Sequence, residues 1–306
     1  MGEALVDLVI ARDGTIRPHL GGGPYNTART LGRLEVPVAF LGRVSDDSFG
    51  RQIVERLAVD GVSTALVVPT TDPTTLAMAT LDERGAATYR FYFEGTSVPG
   101  MTPDMAATQL PAAFDALHVG TLALVLEPFA DAVESVLRDL DVDTLVFVDP
   151  NIRPSVIVDR RAYLNRLARV LAHADVVKVS DDDLAWISPG VAPEEAARAL
   201  LNNGPDNGPG NGPSVALLTM GERGVLVVTS AAADLVEAPA VAVVDTIGAG
   251  DSFAGGVLAW WYDHGKPDLT QRPVAIAAAA FGCLVAAATV ATAGANPPRR
   301  SELAPS

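Results

Sequence analysis

Val243-Val244-Asp245-Thr246-Ile247-Gly248-Ala249-Gly250-Asp251-Ser252-Phe253-Ala254-Gly255-Gly256 reads as a short apolar strand running into a Gly-Ala-Gly turn. A helix follows, with Phe253, Val257, Leu258 and Trp261 as its apolar positions. Successive backbone N–H groups at such a helix start point outward, and the helix dipole favours negative charge there. Asp251 puts a carboxylate in that place. Taken alone, the segment fits two readings. In one, Asp251 is a helix cap and the glycines make a tight turn. In the other, a base stands beside an anion hole, which is what phosphoryl transfer to an alcohol requires.

Working outward, the runs at 38–41, 116–119, 145–148, 176–179, 215–218 and 225–228 are short, apolar and bounded by Gly, Asp or Pro, as buried strands are. Helical spacing recurs between several of them: Ala28, Leu31 and Leu34; Ile53, Val54, Leu57 and Ala58; Phe129, Ala132, Val133, Val136 and Leu137; Leu164, Leu167, Ala168 and Leu171. Strands buried on both faces and alternating with helices predict an α/β fold, a mostly parallel sheet covered by helices on each side. Residues 66–68, 75–81 and 87–93 break the alternation, because turn chemistry rather than helices separates them. They predict a small antiparallel β unit, joined by a strand from 6–10 and the segment after Asp13-Gly14, lying as a flap over one edge of the main sheet. Residues 202–213, NNGPDNGPGNGP, predict an exposed loop insertion.

The 306 residues carry 22 Lys+Arg against 37 Asp+Glu, a net charge of −15, so no basic stripe is available for nucleic acid or an anionic membrane. A small molecule is the expected partner. The single cysteine, Cys283, forms no internal disulfide or zinc cage, and Met1-Gly2-Glu3 does not open a signal segment, so a cytoplasmic location is expected. The apolar stretch 274–295 is mostly Ala with two Gly, and reads as a buried, closely packed helix. No Walker-type loop, G-x-G-x-x-G or G-x-S-x-G occurs, and the four histidines match no metal or nucleophile motif.

Two further glycine-bearing segments stand at other points of the chain. Gly21-Gly22-Gly23-Pro24-Tyr25-Asn26 precedes a helix; it is either a flexible loop or a place where backbone approaches a ligand closely, with Asn26 offering a donor and an acceptor to sugar hydroxyls. Leu218-Thr219-Met220-Gly221-Glu222-Arg223-Gly224 is a strand followed by a T-x-G-x-x-G turn, which an ordinary hairpin also explains.

The three segments in this order resemble the PfkB or ribokinase family of carbohydrate kinases. Residues 21–26 through Gly42 and Gly50 look like its first signature, and residues 245–256 like its second. Segments 2–7, 91–96, 149–154 and 178–183 are most similar to its bacterial fructokinase and 2-keto-3-deoxygluconate kinase branch. The resemblance implies a ribokinase-like three-layer fold over residues 1–306 as one kinase unit, with a β lid from about 8–20 and 66–98. It implies Asp251 as the base and Gly248, Ala249 and Gly250 as the anion hole. Asp7, Gly22, Gly23, Asn26, Asn151 and Arg153, with Phe91 and Phe93 on the lid, are implied on the sugar. Thr219, Gly221 and Gly224, with Lys178 and Ser180, are implied beside ATP. Mg2+ enters with the ATP phosphates, Asp183 is implied at a metal-bound water, and Asp245 at a monovalent-cation loop that makes K+ an activator. A homodimer through the lid is also implied.

Three departures bear on these expectations. The family's N-x-x-E motif falls on Ser180 and Asp183, Phe93 stands where many relatives carry Arg, and only Met1 precedes Gly2-Glu3, so an upstream start or a shortened first strand is expected. The resulting expectation is an ATP-dependent fructokinase. Its alternatives are a 2-keto-3-deoxygluconate kinase, in which Arg153 pairs with a carboxylate, then a ribose or nucleoside kinase, and, in another class, a catalytically silent sugar-binding regulator.

Overall fold

Five of the six apolar runs become strands of one sheet, because each has a helical layer on both sides to bury it. The computed structural model describes residues 1–10, 14–81, 87–201 and 212–303. The expected loop at 202–213 lies outside the described residues except for Gly212 and Pro213. The first part of the chain gives β1 (Leu5–Ile10), β2 (Ile16–Gly21), α1 (Gly23–Arg33), β3 (Arg43–Ser45), α2 (Ser48–Val59), β4 (Val68–Thr70), β5 (Leu76–Leu81) and β6 (Ala87–Tyr92). Then come α3 (Pro103–Gln109), β7 (Ala116–Gly120), α4 (Phe129–Arg138), β8 (Leu145–Asp149), α5 (Arg160–Leu171), β9 (Val176–Ser180), α6 (Asp181–Ile187) and α7 (Pro193–Leu200). The chain closes with β10 (Val215–Thr219), β11 (Val225–Val228), β12 (Ala233–Val236), α8 (Ala249–Asp263) and α9 (Arg272–Val290).

The main sheet runs β12-β11-β10-β9-β8-β7, parallel from β7 to β10 and antiparallel at β11 and β12. Its side chains alternate between two cores. Val146 and Val148, Val177 and Val179, Ala216 and Leu218 face Phe129, Val133, Leu167 and Ala197. Phe147, Val176, Val215 and Leu217 face Leu31, Phe253, Val257 and Ala278 of α1, α8 and α9. Lys178, between Val177 and Val179 on β9, therefore points to the α8 side. Helix α9 is long and apolar enough to cross a membrane, with a mean hydropathy of 2.1, yet it packs back to back with α8. A Cβ on Gly256 would stand 2.9 Å from the Gly282 Cα, a closeness that the expected Ala- and Gly-rich packing supplies.

The structure corrects three expectations. Residues 38–41 make no strand: Ala39 forms an isolated bridge to Ser63, and the backbone groups of Val38, Phe40 and Leu41 are taken by Ser63 and Gly2, on two different segments, so no ladder extends. The run at 66–68 does not join the lid; β4, beginning at Val68, pairs in parallel with β3. Finally, 243–247 is not a strand, because the main sheet ends at β12. Val244 and Asp245 N–H instead donate to the Val290 carbonyl at 2.8 and 3.2 Å, at the end of α9.

The lid is a four-stranded sheet in the order β2-β1-β5-β6. It is mixed rather than antiparallel. β1 runs parallel to β5 because α1, β3, α2 and β4 intervene and return the chain in the same direction. Register puts Leu5, Asp7, Ala77 and Phe91 on one face, and Val6, Leu8, Leu20, Leu76, Met78 and Tyr92 on the other. The implied homodimer through the lid would use the second face. Its inner row is covered by this chain, since Val6 packs with Tyr25, Phe40, Ile53 and Leu57, and Leu8, Leu20 and Leu76 lie against them. Its outer row stays open, with Ile16 57% and Tyr92 46% exposed.

Candidate active site

The parallel strands β7 to β10 end on one side of the sheet, and in open α/β folds ligands bind outside such carboxyl ends. Gly120, Asp149 and Ser180 close β7, β8 and β9 there. Helix α8 starts over the same edge and the inner lid face folds across it. Between them lies a cavity of about 550 Å3 lined by Glu3, Asp7, Gly22, Gly23, Asn26 and Phe91 from one side, and by Asn151, Arg153, Lys178 and residues 246–251 from the other.

Gly248 starts α8 in the left-handed region at φ 77°, a conformation that glycine adopts without strain, and no side chain caps the helix. Ala249 N–H donates to the Thr246 carbonyl at 3.2 Å, and the Gly250 and Asp251 amides are left to the cavity, as an anion site requires. Asp251 is buried one turn in. Its Oδ2 accepts from Asn26 Nδ2 at 2.9 Å and its backbone carbonyl from Thr27 Oγ1 at 3.2 Å, which locks α8 to α1. Its Oδ1 faces the space above Gly23. A Cβ on Gly23 would stand 2.7 Å from Thr121 Oγ1, 3.1 Å from Asn151 Nδ2 and 3.4 Å from Asp251 Oδ1, so the missing side chain is what keeps three polar groups open to a ligand.

Electrostatics tune the same groups. Burial raises the Asp251 pKa, opposed by the Asn26 hydrogen bond and by the Lys178 and Arg153 cations. Burial also raises Asp7 to about 6, opposed by Arg153. Arg153 Nη1 donates to Asn151 Oδ1 at 2.7 Å, and Asn151 Nδ2 donates to Thr121 Oγ1 at 3.2 Å. Asn151 and Thr121 both have positive φ, 38° and 54°. For a β-branched threonine that is a strained backbone of the sort that clusters at ligand sites.

Lys178 lies beneath the first turn of α8. Its Nζ donates to Asp149 Oδ2 and Oδ1 at 3.0 and 3.2 Å, and a Cβ on Gly250 would stand 2.9 Å from it. Burial would lower the lysine pKa, but the carboxylates of Asp149, Asp183 and Asp251 outweigh it and raise it on balance. The lysine is a fixed cation below the start of α8.

Of the residues singled out in the sequence, Asp7, Gly22, Gly23, Asn26, Phe91, Asn151, Arg153, Lys178, Gly248, Ala249, Gly250 and Asp251 come together on this cavity. Others do not reach it. Phe93 packs against the main core beyond the end of β6. Ser180 and Asp183 form the capping box of α6: Ser180 Oγ accepts from Asp183 N, and Asp183 Oδ2 accepts from Ser180 N and Oγ. Asp183 Oδ1 accepts from Ile152 N at 2.7 Å, so both its oxygens are engaged by the fold. The carboxylate of α6 that lines the cavity is Asp182.

Thr219 aligns with Ser180 at the adjacent strand end, and Gly221 and Gly224 shape the β10–β11 turn, outside the cavity lining. Asp245 accepts from Ile247 N at 3.0 Å and Gly294 N at 2.8 Å, tying the loop before α8 to the turn after α9. Among the described residues no cluster of three or more His, Cys, Asp or Glu side chains suits a metal ion. Polar wall residues missed by sequence reasoning include Glu3, Thr121 and Asp182. No local pattern marks Thr121, which gains its place only when β7 and β8 pair.

A family model described as pfkB family carbohydrate kinase matches residues 2–302. A fructokinase of Rhizobium leguminosarum bv. trifolii is 35% identical over 84% of this chain and 77% of its own length. A fructokinase of Vibrio alginolyticus is 30% identical over 99% of this chain and 96% of its own. The crystal structure of a Vibrio cholerae O395 fructokinase with fructose, ADP and calcium ion superposes with a TM-score of 0.82 and 26% identity, covering 96% of this chain and 92% of that one. A double mutant of that enzyme has been crystallised with fructose, ADP and potassium ion, and has the same TM-score.

Proposed function

The chain belongs to the pfkB family of carbohydrate kinases, and we propose that it is a fructokinase, moving the γ-phosphoryl group of ATP to a primary hydroxyl of fructose. The observation that carries this reading is Asp251 Oδ1, facing the open space above Gly23 one turn into the uncapped start of α8. A sugar hydroxyl in that space gives its proton to Asp251 as its oxygen attacks phosphorus. The Gly248 and Gly250 amides, with Lys178 below, face the charge that develops on the phosphoryl oxygens. Asp7, Asn151 and Arg153 hold the other hydroxyls, and the inner lid face excludes water. Mg2+ would be held mainly by phosphate oxygens with retained waters, with Asp182 on the same wall, and would neutralise phosphate charge. The Asp245 loop is where K+ would act, by fixing the turn that leads into the anion site.

Four carboxyl groups, Glu3, Asp7, Asp182 and Asp251, share the cavity with Arg153 and Lys178, and this balance supports a neutral polyol over a keto acid. Arg153 is also engaged by Asn151. With fructose, 2-keto-3-deoxygluconate, ribose and adenosine compared under one condition, kcat/KM is expected to favour fructose at least tenfold, about 1.4 kcal/mol. A tenfold preference for any competitor rejects fructose.

The same reading takes residues 1–306 as one cytoplasmic kinase unit that dimerises through the lid. The open outer row of the lid, with Ile16 and Tyr92 exposed beside Leu8, Ile10 and Met78, supports a second copy as its cover. Light scattering at micromolar protein should give twice the chain mass of 31.7 kDa. A monomer mass, or a dimer unchanged by Ile16→Lys, overturns the lid interface.

A further inference from the structure

Glu3 is 1% exposed, yet it lies on the cavity wall. Its Oε1 accepts from Gly23 N–H at 3.1 Å, while its Oε2 is buried with no hydrogen-bond partner. An orphaned carboxyl oxygen is costly, and native folds leave few of them without a purpose. The backbone also binds Glu3 to the same turn: a Cβ on Gly22, at φ 115°, would stand 2.6 Å from the Glu3 carbonyl oxygen. Glu3 thus supports, from behind, the two residues that keep the sugar space open.

We propose that Glu3 fixes the Gly22–Gly23 turn through Oε1 and presents Oε2 to an oxygen of the bound sugar. To donate, Oε2 must carry a proton, and the surroundings favour that. Burial is the main cause of a Glu3 pKa of about 8, with its own backbone N–H, the Gly23 N–H and Arg153 opposing and Asp251 adding to it. The charged groups around it come from every neighbouring element: Asp7 on β1, Arg153 after β8, Lys178 on β9 and Asp251 on α8. The Met1 amine, buried and donating to the His118 carbonyl at 2.8 Å, is lowered to about 5 by that burial, and is neutral when Glu3 titrates. His118, lowered to about 3, is neutral as well. Glu3 then donates below about pH 8; above it, a further carboxylate appears among Asp7 and Asp251 and the donor is lost.

This proposal rests on the sugar-kinase reading, so wild-type turnover over the sugar panel is measured first, and the Glu3 variants are read on the sugar that the wild type prefers. Glu3→Gln keeps an acceptor for Gly23 N–H and a donor that does not titrate. Its sugar KM at pH 7 should stay within about threefold of wild type and remain flat to pH 9. The wild-type KM should rise roughly tenfold between pH 7 and 9, as one ionisation near 8 requires. Glu3→Ala should raise sugar KM at least 30-fold while KM for ATP moves less than threefold. Parallel pH profiles for wild type and Glu3→Gln, or a Glu3→Ala enzyme with sugar KM within threefold of wild type, overturn the proposal. If Glu3→Ala does not fold, the Glu3→Gln profile decides alone. Failure of the wild type on every sugar would sink the kinase reading instead, and is seen before any variant is made.

Discussion

Asp251→Asn is expected to lower kcat by roughly 10²–10⁴, the range for a positioned general base, and to leave ATP affinity within threefold. Asparagine keeps the shape of the side chain, and its amide oxygen can still accept from Asn26 Nδ2, but it takes no proton from a sugar hydroxyl. The proposed anion site is built from the Gly248 and Gly250 amides and from Lys178, none of which the substitution touches. Stability should not fall. Burial holds the folded Asp251 pKa above 3.8, so above the unfolded pKa its ionisation is a cost of the native state, which the neutral amide removes. The Tm is therefore expected to be unchanged or higher. By the same sign, wild-type kcat/KM should fall as the pH drops through the folded Asp251 pKa, at a higher pH than an exposed aspartate would give. Near-normal kcat in the variant would reduce Asp251 to a helix-start residue. A joint loss of ATP affinity and Tm would make it structural and remove the base from the mechanism.

What could be read from the sequence followed the range of the interaction that places each residue. The Gly248–Asp251 turn was legible because a helix start is a local event, and five of the six buried strands because two-sided burial leaves an uninterrupted apolar run. The Ser180-x-x-Asp183 capping box was equally local, and its spacing carries that signal. The structure shows that box formed at the start of α6. Glu3 and Thr121 were illegible because their place depends on pairings 20 and 30 residues away, with Gly23 and Asn151. The runs at 38–41 and 243–247 misled for a related reason. An apolar run specifies burial or extension, but a strand needs a free edge beside it. Neither segment has one, and Val243 and Val244 are left more than 60% exposed.

Lys178→Met should cost about 3–5 kcal/mol of stability, the range for breaking a buried ion pair from one side. The pair is nearly inaccessible, with side chains 5% and 3% exposed for Lys178 and Asp149. The cost comes from what remains. Asp149 already has a pKa of about 6, raised first by burial and further by Asp183 and Asp251, with Lys178 as the opposing charge. Without the lysine, the carboxylate must either ionise unpaired or take up a proton near neutral pH, and both penalise the native state. For a chain of this size a Tm fall of roughly 10 °C is expected. Removing both charges isolates the second role of the lysine. In Lys178→Met/Asp149→Asn no buried charge is left without a partner, so most of the lost Tm should return. Activity should not return with it. Lys178 Nζ lies beside Gly250 under the start of α8, and kcat in the double variant should stay at least tenfold below wild type because charge developing on the phosphoryl oxygens has lost a fixed cation. Recovery of both Tm and kcat would show that the pair only props up the strand ends. Recovery of neither would show that methionine does not fit the space beneath α8, and would reject the charge argument for stability.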